Sequence, residues 1–155
     1  FFGSQMKLLT SEQDSIVVNG DFATDSYWTK QTGWTINGGT ANFNGANGFS
    51  LYAGQNYVNG KTYKFSYDVL NYVSGGVRIS FDGQVSQTIS SNSTNNTFYH
   101  TYNGGNTNIF IQSVGASQFS IDNVSVQVAR AELDQIEAKK CVADWIHRTA
   151  LKNKY

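Results

Sequence analysis

Alternation of apolar and polar side chains dominates the middle of the chain. Tyr63, Phe65, Tyr67 and Val69 are separated by Lys64, Ser66 and Asp68, and Val77, Ile79 and Phe81 by Arg78 and Ser80. A period of two belongs to a strand with one buried face. Tyr63, Phe65, Tyr67, Val77, Ile79 and Phe81 are therefore expected to point into a core. Shorter runs at 16–19, 34–37, 40–43, 49–53, 84–89, 97–102, 108–114 and 119–128 extend the pattern. Asn37-Gly38-Gly39, Asn59-Gly60, Asp82-Gly83 and Asn103-Gly104-Gly105 stand between runs as turn signals. About ten short strands with no helical period between them predict a mainly β fold. The expected architecture is an antiparallel jelly-roll β-sandwich of two packed sheets over residues 15–127.

In the last run, Phe119 and Ile121 share a face, but the apolar set resumes at Val124, Val126 and Val128. That is one residue out of phase, as a β-bulge at Asp122 and Asn123 would make it. After Val128 the pattern changes. Residues 129–151 hold neither Gly nor Pro and are rich in Ala, Glu, Lys, Leu and Gln, which predicts a C-terminal α-helix. At 100° per residue, Leu133 and Ile136 fall on one side, and Cys141, Val142 and Trp145 on another. Two apolar faces suit a helix that touches two surfaces, so residues 128–155 are expected to be a helical assembly segment. Residues 1–14 show little period and read as an arm or linker. The chain opens on Phe1 rather than Met, as a processed product or an excerpt would.

Composition narrows the function classes. Lys and Arg number 11, Asp and Glu 11, and charged residues are 14% of the 155, against roughly 25% in an average soluble protein. A balanced, sparsely charged chain lacks the basic footprint of a nucleic-acid binder. No apolar run reaches the roughly 18 residues of a membrane span. The single cysteine, Cys141, forbids an internal disulfide.

Chemistry for catalysis is scarce. The two histidines, His100 and His147, lie in segments of different type, and the sandwich region holds no Glu and only Asp21, Asp25, Asp68, Asp82 and Asp122. Glycoside hydrolysis needs two positioned carboxyl groups, so a non-catalytic protein is expected. Binding is better supplied: three Trp, nine Tyr and ten Phe make 14% of the chain. Tyr and Trp offer apolar ring faces to sugars beside polar groups that take the hydroxyls. The candidate carbohydrate contacts outside the alternating core are Trp28, Tyr52, Tyr57, Tyr72 and Tyr99, with Tyr27 beside them. Trp34 reads as core. Asp21 and Asp122, with turn carbonyls, are candidate oxygen ligands of a structural calcium.

Two motifs carry a resemblance. Val18-Asn19-Gly20-Asp21-Phe22, followed by Trp28 and Gly33-Trp34-Thr35, resembles the opening of jelly-roll carbohydrate-binding modules of the family 4, 9, 16 and 22 type. Phe119-Ser120-Ile121-Asp122-Asn123-Val124-Ser125-Val126 resembles their closing strand. The resemblance spans roughly 16–127 and implies a galactose-binding-like sandwich more firmly than any ligand. It also implies a structural calcium, although Ala23 stands where the family has an acidic residue. The same pair of motifs resembles domains of tailed-bacteriophage head and fibre proteins. The absence of proline and the appended helix favour that setting. The expectation is a virion structural or attachment protein whose jelly roll binds cell-surface glycans. Leu133, Ile136, Cys141, Val142 and Trp145 would dock it on copies of itself or on other virion proteins. The alternative is a carbohydrate-binding module of a secreted bacterial glycoside hydrolase or adhesin.

Overall fold

The structure, a computed structural model, describes residues 14–129 and 131–152, with the side chains of 131–140 outside that description. Eight strands precede a helix: β1 (Thr29–Lys30), β2 (Trp34–Asn37), β3 (Thr40–Gly45), β4 (Ser50–Gly54), β5 (Thr62–Phe81), β6 (Gln84–Val85), β7 (Ser93–Thr101), β8 (Asn108–Val128) and α1 (Ala131–Lys152). Every strand pairing among the described residues is antiparallel. The fold is mainly β and jelly-roll-like, close to a barrel, with the C-terminal helix that the sequence predicts. Residues Ser15–Val128 form one compact unit.

β5 and β8 organise that unit. They lie side by side, and both are bent. The first half of β5 pairs with the second half of β8, as at Phe65 and Val126, and the second half of β5 with the first half of β8, as at Ile79 and Ile111. One layer then runs β7, β5, β8, β3, β2, and the other runs β6, β5, β8, β4, β1. The two sheets expected from the sequence are thus two ends of a single hydrogen-bonded sheet. Likewise the runs 63–69 and 77–82 are one strand, and 108–114 and 119–128 another. Alternation fails at 71–76 and 115–117, which read as connections, yet the ladder continues there through Ser74 with Gln118 and Gly76 with Val114. Asn71 (φ 49°), Gly75 (φ 73°) and Gly115 (φ 76°) turn the backbone without releasing it.

The six residues expected to face inward are all buried, as are Trp34, Phe43, Leu51, Ile109, Ile111 and Ile121. Two expected strands are not formed as drawn. Residues 18–21 are a turn, because Asn19 (φ 55°) donates to the Thr24 and Ser26 carbonyls and accepts from the Thr24 N–H. Of the run 84–89 only Gln84–Val85 is strand, and Ile89 adds an isolated bridge to Val77.

The bulge lies where the phase slip predicts it. Ser66 pairs with Ser125 and Asp68 with Asp122, so β8 carries the extra residue, and Asn123 is at φ 51°. β7 bulges opposite, with Asn95 at φ 53°. Asp68 joins the two: its carboxylate accepts from the Asn95 N–H (2.6 Å) and the Asn123 amide (2.8 Å).

In α1, Val142, Trp145 (61% exposed) and Ile146 are exposed and Cys141 is half-buried. The side chains of Leu133 and Ile136 lie outside the described residues.

Candidate functional site

The outer face of the β6–β5–β8–β4–β1 layer is set by strand alternation. Leu51 and Ala53 point into the core, so Tyr52 points out; Ile109 and Ile111 point in, so Phe110 points out. Tyr52 and Phe110 are register partners on adjacent strands, with ring centroids 5.3 Å apart and planes tilted by 34°. In the same row stand Thr29 beside Tyr52, Ser80 beside Phe110, and the exposed Val85 beside Ser80. The next row holds Arg78 and Gln112, whose side chains meet at 3.3 Å, Arg78 Nε donating to Gln112 Oε1. Two partly exposed ring faces therefore lie beside a guanidinium and an amide. Apolar ring faces take the C–H side of a flat ligand, and the flanking donors take its hydroxyls.

The remaining candidate aromatics are not gathered here. Trp28 is buried (5% exposed) against Phe22, and its indole N–H donates to the Asn19 carbonyl. Tyr57 packs into the core, 4.5 Å from the Phe81 ring and 4.9 Å from the Tyr63 ring. Its burial, and then the neighbouring Tyr63, raise the pKa of its phenol. Neither ring presents a face to a ligand, because both are spent on packing. Tyr72 packs against the core and donates to the Gly75 carbonyl at 2.8 Å, which serves the bend. Tyr99, 55% exposed, lies on β7 opposite Lys64; Tyr27 is exposed in the loop before β1. Phe110, Arg78 and Gln112 were not picked out from the sequence. One signal was legible: Ile109-Phe110-Ile111 is an unbroken apolar run in a strand, so one of its side chains must face outward.

The Asp21 carboxylate accepts from the Ala23 N–H, and the Asp122 carboxylate from the Asn123 N–H. Among the described residues no three His, Cys, Asp or Glu side chains come together as a metal site.

His100 and Asp82 meet at 3.2 Å at the β5–β6 turn. The Asn103 N–H, and after it His100, hold the Asp82 carboxyl below the usual carboxylate range. Asp82 thereby pins the loop before β8. A depressed folded value means stability that is complete above the unfolded value of about 4 and is lost as the pH falls through the folded one. The thermal midpoint of the wild type should therefore drop below about pH 4 more steeply than that of Asp82→Asn. Parallel melting curves from pH 2.5 to 6 for the two proteins would contradict this role.

No helix among the described residues is long and apolar enough to cross a membrane. No protein-family model and no curated protein matches the chain. Solved structures do. TmCBM61, in complex with β-1,4-galactotriose, aligns with a TM-score of 0.45 and 14% identity over 76% of this chain and 100% of its own. CBM35 from Paenibacillus barcinonensis aligns at 0.44 and 16%, over 77% and 99%. The CBM22-1–GH10 modules of Clostridium thermocellum endo-1,4-β-D-xylanase 10B, complexed with xylohexaose, align at 0.41 and 17%, over 74% and 28%. The likeness is one of fold. The expectation of a bacteriophage virion protein at a virion location is corrected here: the similar solved structures are carbohydrate-binding modules.

Proposed function

We propose that the chain is a non-catalytic carbohydrate-binding module of a secreted bacterial glycoside hydrolase or adhesin, and that it holds glycan chains against the Tyr52–Phe110 face. The observation that carries this reading is the ring pair itself. Two large aromatic side chains stand outward on neighbouring strands, where the fold has no need of them, next to Arg78 and Gln112. Half-buried ring faces set beside a guanidinium and an amide suit a sugar ring, whose apolar face stacks while its hydroxyls meet the polar groups. The reading also agrees with a sandwich free of Glu.

Affinity electrophoresis through gels containing β-1,4-galactan, xylan, cellulose or pectate tests it. At least one polysaccharide should retard the protein, and Tyr52→Ala should abolish the retardation. Burying one such side chain is worth about 1.5–3 kcal/mol, which corresponds to roughly 10- to 150-fold in affinity. Tyr52 lies outside the core, so the variant should melt within about 0.5 kcal/mol of the wild type. Retardation by a glycan that Tyr52→Ala leaves unchanged would place the site elsewhere.

A further inference from the structure

A groove of about 400 Å³ opens on the outer side of the other layer, away from the Tyr52–Phe110 face. Its polar lining comes from four strands: Thr35 on β2, Asn42 and Asn44 on β3, Asn71 on β5, and Gln118 and Ser120 on β8. None of these is charged. Beneath them lie the buried rings of Trp34, Phe43 and Phe119, 5.0–5.7 Å apart, so the floor is packed core and does not yield.

Half of the lining is committed to an internal chain of hydrogen bonds. The Asn71 amide donates to Ser120 Oγ (3.2 Å), Ser120 Oγ donates to Asn42 Oδ1 (2.6 Å), and the Asn42 amide donates to Asn37 Oδ1 (3.2 Å). This chain fixes the orientation of each amide and leaves Asn71 Oδ1 as an acceptor. The other half has no side-chain partner: Thr35, Asn44 and Gln118 make no hydrogen bond through their side chains within the described residues. Asn44 and Gln118 are register partners on adjacent strands, so two uncommitted amides stand side by side. Each offers a donor and an acceptor in one plane, the pattern that neighbouring hydroxyls on a sugar ring complement. A charged ligand would lose hydration here with no opposite charge to replace it.

We propose that this groove is a second ligand site, independent of the aromatic face, for one neutral, polyhydroxylated ring. That ring is either a free monosaccharide or a single unit of a glycan chain. Asn44 and Gln118 grip adjacent hydroxyls, and the Asn71–Ser120–Asn42 chain holds the rim in place.

The test is a titration of ¹⁵N-labelled protein, read at the side-chain amide resonances of Asn44 and Gln118. The ligands are galactose, xylose, glucose and mannose, their β-1,4-linked oligosaccharides, and galacturonate. Saturable shifts with at least one neutral sugar are expected. They should persist in Tyr52→Ala and weaken at least tenfold in Asn44→Ala/Gln118→Ala. Both altered residues are exposed and unpartnered, so that variant should fold; Thr35→Val is a second, single probe. Saturation by a monosaccharide assigns the site to free sugar, and saturation by oligosaccharides alone assigns it to a chain unit. Absence of saturable shifts with every neutral sugar overturns the proposal, as does a preference for galacturonate. Shifts that disappear in Tyr52→Ala also overturn it, since the groove would then have no independent affinity. Binding at the aromatic face is read separately by gel retardation, so failure at the groove leaves that reading untouched.

Discussion

Phe81→Ala should destabilise the protein by about 3–5 kcal/mol, the usual cost of removing a fully buried Phe ring. Phe81 is wholly buried at the end of β5, with ring centroids of Tyr57 at 4.5 Å, Phe65 at 4.8 Å, His100 at 5.7 Å and Tyr102 at 5.8 Å. Phe65 and His100 are held by β5 and β7, and Tyr102 by hydrogen bonds to the Lys61 and Gly105 carbonyls, so these neighbours cannot collapse into the space. The cavity therefore stays, and its cost adds to the lost transfer energy. Against a typical total of about 5–15 kcal/mol, the loss removes a large share of the stability. Urea unfolding gives the number directly, and the thermal midpoint should fall by upwards of ~10 °C. Phe98, only partly buried on β7, is the comparison: Phe98→Ala should cost distinctly less. Equal losses, or a loss under about 1 kcal/mol for Phe81→Ala, would show that this aromatic cluster does not carry the core.

Gly75→Ala should cost about 2–5 kcal/mol, from two separate terms. Gly75 sits at φ 73°, a region that costs an L-residue about 1–2 kcal/mol. A Cβ there would also lie 2.1 Å from Ser117 Oγ, 2.6 Å from the Ala116 carbonyl oxygen and 2.7 Å from Ser117 Cα. Two of those atoms are backbone, in a segment where the Ser117 hydroxyl accepts from the Gly76 N–H, so relief requires opening the β5–β8 bend. Overpacking of that kind adds about 1–3 kcal/mol. Gly48 separates the terms: it has φ 91° with nothing within 4 Å of a built Cβ. Gly48→Ala should therefore show the conformational cost alone. If the two variants lose the same stability, the close approach at the bend has no energetic weight.

Some of the candidate site was legible in the sequence and some was not. Tyr52 was within reach, since it lies between Leu51 and Ala53 in a run whose other members read as core. Trp28 and Tyr57 misled for one reason: both sit outside any alternating run, and that looked like exposure. Loops that fold back over the open ends of a sandwich bury aromatics as strands do, and no period marks them. The setting was misjudged on firmer-looking ground. Lack of proline and an added helix do not decide how the strands pair, so the domain's architecture does not depend on them.

Alternation and turn residues determined the fold class, the inward set from Tyr63 to Phe81 and the bulge at Asn123, and helix-forming composition determined the helix after Val128. They suffice because each is a local constraint: side-chain direction along a strand depends on backbone geometry over two or three residues. Tertiary structure alone decided that β5 and β8 are continuous through their bends, and so which outward residues become neighbours. Tyr52 meets Phe110, and Asn44 meets Gln118, only through pairing with β8. Register between distant strands is selected by burying all inner faces at once. No single segment contains that information, which is why the candidate sites emerge from pairing and the core from the pattern.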